Sequence, residues 1–144
     1  MKKAIICRKD PYRKCHHDYL KEHDGVLLLS FDLPHEKGKK YKNSTLSMSN
    51  NKRAKIAICE LLTDFEENAT YGYKDGEKFG WGKKHLFSED NYKRTHDLEV
   101  NGNFETKVNY NNIAIIILEG ELKPDNFKFS HNYIKRKKQK AFRR

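Results

Sequence analysis

The longest apolar run in the chain is Ile113-Ala114-Ile115-Ile116-Ile117-Leu118, set between Asn111-Asn112 and Glu119-Gly120. Six apolar residues, four of them β-branched, read as a strand buried on both faces. Such a strand needs a neighbour on either side and a layer over each face, so the rest of the chain must supply them.

Upstream, Ala4-Ile5-Ile6-Cys7 predicts a short first strand. Asp10-Pro11 has the cap and first-turn chemistry that opens a helix. Tyr12, Cys15, His16, Tyr19, Leu20 and His23 then recur on one helical face, and Gly25 stands where a C-terminal cap would close it. Val26 to Phe31 predicts a second strand stopped by Pro34. Strand, helix and strand in this order suit a βαβ unit with parallel neighbours. Leu46 and Met48 alternate with Ser and Thr, as in a short edge strand. Ala54, Ala57, Ile58, Leu61, Leu62 and Phe65 form a stripe at helical spacing, opposed by Lys52, Arg53, Lys55, Glu60, Asp64 and Glu67. That pattern predicts a second helix, capped by Ser49, Asn50 or Asn51.

The composition then changes. Tyr71 to Phe87 mixes aromatics, glycines and lysines, and Asp75-Gly76 favours a type I′ turn, so a small hairpin is expected there. A stronger hairpin signal follows, with Leu98-Glu99-Val100 and Phe104 to Val108 flanking Asn101-Gly102-Asn103. With the strand at 113–118 this makes an antiparallel meander. Phe127, Phe129, His131 and Tyr133 alternate with Lys128, Ser130 and Asn132, which suits a last strand with an aromatic face. The predicted fold is therefore α+β: a mixed, largely antiparallel sheet with two main helices, one domain over residues 1–134, and a basic C-terminal tail over 135–144.

Charge sharpens this picture. The 144 residues carry a net charge of +10, and mean hydropathy is −1.00. Low hydropathy leans toward disorder, but the 12% aromatic content favours a folded body. Lys135, Arg136, Lys137, Lys138, Lys140, Arg143 and Arg144 hold seven of the positive charges, which leaves +3 upstream of them. A polyanion such as RNA or DNA is the partner this distribution suits, with an acidic protein surface as another. The three cysteines argue against a disulfide framework and for a reducing, cytoplasmic setting. The apolar stretch after Met1-Lys2-Lys3 is too short for a secretory leader, and no run is long enough to span a bilayer.

Candidate chemistry is sparse. In the tail, phosphate contact competes with a plain solubility role. Around Lys83, Lys84 and His85, aromatics and lysines together would make a platform for single strands or RNA, although Phe79 and Trp81 are better assigned to a core. Cys15, His16, His17 and His23 lack the spacing of a shared metal site, so no metal or other cofactor is expected. A nuclease reading has two forms. One uses His85, His96 or His131 as acid or base. The other uses Glu105 and Lys107 with a metal and Asp97, but alternation in the predicted hairpin puts Asp97 on the opposite face from Glu105. The leading expectation is a small nucleic-acid-binding protein that reads charge and shape, with RNA or single strands favoured; the residues leave open whether it also catalyses a reaction. A small nuclease, and a viral or mobile-element accessory protein that binds and inhibits a host protein, are the alternatives.

Overall fold

The computed structural model describes residues 2–9, 20–22, 24–31, 38, 40–65, 67, 89–123 and 127–134. Among them, regular structure is β-strand apart from one 3-10 turn at Glu89–Asn91. Seven strands form one antiparallel sheet: β1 (Lys2–Cys7), β2 (Leu20–Lys21), β3 (Gly25–Ser30), β4 (Lys40–Leu61), β5 (Tyr92–Val108), β6 (Asn112–Leu122) and β7 (Lys128–Ile134). The order is β1-β3-β6-β4-β5, with β2 paired to β6 and β7 paired to β4.

The apolar run at 113–118 lies in β6, between β3 and β4. Ile113, Ile115 and Ile117 enter one core with Leu27, Leu29, Ile56 and Ile58. Ala114 enters a second core on the opposite face, with Val26, Leu28, Ala57, Cys59, Leu61 and Phe65. Three adjacent strands therefore bury both faces, which is why none of them alternates cleanly between apolar and polar.

This two-sided burial overturns the second predicted helix and, with it, the α+β class: the described residues form an all-antiparallel β structure. Residues 54–61 are strand. Ala54, Ile56 and Ile58 face the first core, and Ala57, Cys59 and Leu61 face the second. A strand buried on both faces contains every spacing that a helical stripe contains, so the stripe could not discriminate. The β-branched Ile56 and Ile58 favour the strand. Leu62, which the helix would bury, is 58% exposed, whereas Ile56, outside the predicted stripe, is fully buried. The strand therefore predicts opposite sensitivities. Ile56→Val should cost about 1 kcal/mol in chemical denaturation, and Leu62→Ala less than about 0.5 kcal/mol.

Three further expectations are corrected. β1 and β3 pair antiparallel, with Ile5 opposite Leu27, so there is no parallel βαβ unit. The residues of the first predicted helix lie largely outside the described set, but at its end Leu20–Lys21 is strand β2. Gly25 is not a helix cap. It opens β3 against Leu20, and an added Cβ would sit 2.7 Å from a Leu20 methyl. Leu46 and Met48 belong to no short edge strand. They lie within the 22-residue β4, between β5 and β7, and both are buried.

Nor do residues 98–108 form a hairpin. β5 runs straight through Asn101-Gly102 and stays paired with β4 on both sides of it. The two strands bend together: residues 51–53 bulge between Asn50 and Ala54, opposite Asn101, and Gly102 takes φ +94°. The Asn-Gly pair thus supplies a corner rather than a turn. Beyond it the first half of β4 lies with β7, the second half with β6. The two halves fold over a common core, where Leu46 and Met48 meet Leu29 and Ile115. The Phe31 and Phe129 rings pack across it, with centroids 4.3 Å apart.

Asn50 fastens the corner. It is 1% exposed, its amide Nδ2 donates to the carbonyls of Lys52 (2.5 Å) and Glu121 (3.0 Å), and its Oδ1 accepts from the Lys123 amide (3.2 Å). Backbone groups left over by the bulge are satisfied by one side chain. Among the described residues, no helix is long and apolar enough to cross a membrane. Cys7 is disulfide-bonded, against the expectation drawn from the cysteine count. Cys59 is a free thiol, and burial pushes its pKa up to about 12, so it is inert.

Candidate nucleic-acid interface

The fold at Gly102 brings the two arms of β5 together. Thr106 lies ten positions beyond His96, yet the His96 Nε2 and Thr106 Oγ1 are 2.6 Å apart. The Thr95 hydroxyl donates to the Ile58 carbonyl (2.8 Å). Its oxygen must then accept from both His96 Nδ1 and the Tyr110 hydroxyl, each at 3.1 Å. With Nδ1 carrying the proton, Nε2 of the neutral ring accepts from Thr106. Both nitrogens of His96 are thus engaged in a closed network. Tyr110 is partly buried, and that burial raises its pKa.

His131 is held through one ring nitrogen. Its Nδ1 lies 2.8 Å from Ser44 Oγ, which lies 2.6 Å from the Tyr41 hydroxyl, and its ring packs on Phe31. A Ser–His contact invites a nucleophile reading, but Ser44 is fully buried in the core and no substrate could reach it. The pair fixes β7 to β4, where Ser44 and His131 are direct partners.

Glu105 and Lys107 share the outer face of β5, opposite Ser47 and Thr45. Asp97 pairs with Ala57, whose side chain enters the second core, so it faces away from Glu105 across the folded sheet. Arg94 also grips Asp97, with Nε to Oδ1 at 2.7 Å, and holds its carboxyl below the usual range. Among the described residues no three His, Cys, Asp or Glu side chains converge as metal ligands.

Several acids near the corner and β6 are matched: Glu99 with Arg53, Glu121 with Lys52, and Asp97 with Arg94. The outer face of β7, the first half of β4 and the second arm of β5 is different. Its side chains are small and polar, joined by Asn132 to Asn43 (2.8 Å), Asn132 to Thr45 (3.1 Å) and Ser49 to Asn103 (2.7 Å). Lys107 and Lys128 stand exposed on it, flanking Thr45 and Ser47 in register, with Glu105 the acid alongside. Lys40 and Lys42 are exposed at the start of β4, and Lys40 pairs with Ile134, the residue before the basic tail.

At one margin of this face is a cleft of about 220 Å³. Thr95 and His96 line it from the first arm of β5, Lys107 and Val108 from the second, with Asn109 and Tyr110 after it and Asn43 from β4. Of the residues singled out from sequence, His96 and Lys107 are brought together here, and His131 is not. Lys83, Lys84, His85 and the tail residues Lys135, Arg136, Lys137, Lys138, Lys140, Arg143 and Arg144 lie outside the described residues. Sequence reasoning missed Thr95, Thr106, Tyr110 and Asn43. The available signal was the alternation of 96, 98 and 100 with 104, 106 and 108 about Gly102. No protein-family model, curated protein or solved structure matches this chain.

Proposed function

We propose that the protein binds polynucleotides through their phosphate backbone, using the tail at 135–144 together with the polar outer face from which that tail departs. The observation that carries this reading is the sorting of charge. Glu99, Glu121 and Asp97 are ion-paired, while Lys40, Lys42, Lys107 and Lys128 have no ion-pair partner among the described residues. Lys107 and Lys128 stand on a sheet face of Ser, Thr and Asn that offers hydrogen bonds. Phosphate contacts of this kind position a strand without reading its sequence. RNA or single strands remain the favoured form.

The nuclease reading loses support, because both ring nitrogens of His96 and the Nδ1 of His131 are engaged in structural bonds and Asp97 is held by Arg94. Substituting Lys107 and Lys128 together with Gln tests the interface. In filter binding across a salt series, the log–log slope should fall by about 2 on duplex and somewhat less on single strands, uniformly across sequences. An unchanged slope would remove the sheet face from the interface.

A further inference from the structure

We infer that the cleft between the two arms of β5 seats one nucleotide unit, with its phosphate on Lys107 and its base edge against the carboxamides of Asn43 and Asn109. The cleft is rich in uncommitted donors. Lys107 presents an ammonium with no ion-pair partner among the described residues. The Asn43 Oδ1 accepts from Asn132, which leaves the Asn43 NH₂ available, and the Asn109 side chain carries no bond among the described residues. The Tyr110 oxygen, having donated to Thr95, can still accept. Among the described residues no carboxylate lines the cleft.

Size argues for more than a phosphate. A volume of about 220 Å³ equals roughly seven waters at their liquid volume. The mixture of one cation, two carboxamides and the apolar Val108 suits a phosphate joined to a flat, hydrogen-bonding ring. A carboxamide can read the donor and acceptor edge of an unpaired base, which a duplex would hide. Thr95 and His96 are already set, since bonds to Ile58, Tyr110 and Thr106 hold them on paired strands. The site thus requires little ordering when it fills. Asn43 pairs with Asn132, two residues before the end of β7, so an occupant lies close to where the basic tail begins.

This inference rests on the polynucleotide reading only for the source of the nucleotide, and the test separates the two. Adenosine and uridine 5′-monophosphates, inorganic phosphate and the parent nucleosides are titrated into the full chain and followed by NMR of the Asn43 and Asn109 side-chain amides. Each nucleotide should shift both amides saturably, and Lys107→Ala, with its backbone spectrum otherwise unchanged, should weaken this about tenfold, as for one charge-assisted bond. Phosphate or nucleoside alone should bind at least about tenfold more weakly than the nucleotide. Unmoved amides at about 10 mM nucleotide overturn the inference, as does phosphate binding as tightly as the nucleotide. If the cleft is silent while RNA still binds, the cleft inference alone fails. If the cleft fills while RNA and DNA do not bind, the polynucleotide reading fails and the nucleotide seat stands.

Discussion

Gly120→Ala is expected to lower stability by about 3–5 kcal/mol, enough to leave much of a small domain unfolded. Gly120 sits in β6 at φ +77°, where an L side chain is strained, and an added Cβ would lie 2.2 Å from the Arg53 carbonyl oxygen. That oxygen is backbone of the β4 bulge, which cannot swing aside as a flexible side chain can. Ala54 pairs with Gly120 directly, and Asn50 ties the same corner to the Glu121 carbonyl. A methyl at this point therefore pushes β6 away from the bend that folds the two halves of β4 over one core. Gly102→Ala is the control. It has φ +94° but nothing within 4 Å of the new Cβ, so it should cost only about 1 kcal/mol of conformational strain. Urea denaturation of both variants checks the account, and equal losses would refute the close approach.

The corner also explains what the sequence disclosed and what it hid. The run at 113–118 was legible as a strand buried on both faces because its composition leaves little else: four β-branched residues between polar stops. The strands at β1, β3 and β7 were legible for similar reasons, short apolar or alternating runs bounded by turn residues. Residues 54–61 misled because burial on both faces superimposes two period-2 patterns, and their sum includes the helical spacing i, i+3, i+4. Asn101-Gly102 misled because a positive φ serves a bend in a continuous strand as well as a two-residue turn. Only the partner strand decides, through the bulge at 51–53, and a local reading does not contain it.

The candidate site was partly legible. Lys107 and His96 were noticed, but for a metal or an acid–base role, since nothing in their spacing reveals that the fold at Gly102 carries His96 to within 2.6 Å of Thr106. With that contact made, His96 becomes a wall of the cleft. Asn43 was invisible because its role depends on pairing with Asn132 across β7. The charge asymmetry of the tail, by contrast, needs no structure to be read.

The largest functional effect is expected from ending the chain at Ile134. β7 ends at that residue and its pairing with Lys40 is retained, so the fold should be intact. Seven positive charges would be lost. If each neutralises a phosphate, they contribute about −6 to the log–log salt slope on duplex DNA and about −5 on single strands. Slopes of that size correspond to affinity falling by roughly three to four orders of magnitude between 50 and 200 mM salt. The shortened chain should then keep only the shallow slope due to the lysines of the sheet face. Measuring binding of RNA and DNA across a salt series, full chain against the chain ending at Ile134, tests the central claim most directly. The account predicts steep salt dependence for the first and weak, shallow binding for the second; identical curves for the two chains, or salt-insensitive binding by the full chain, would contradict it.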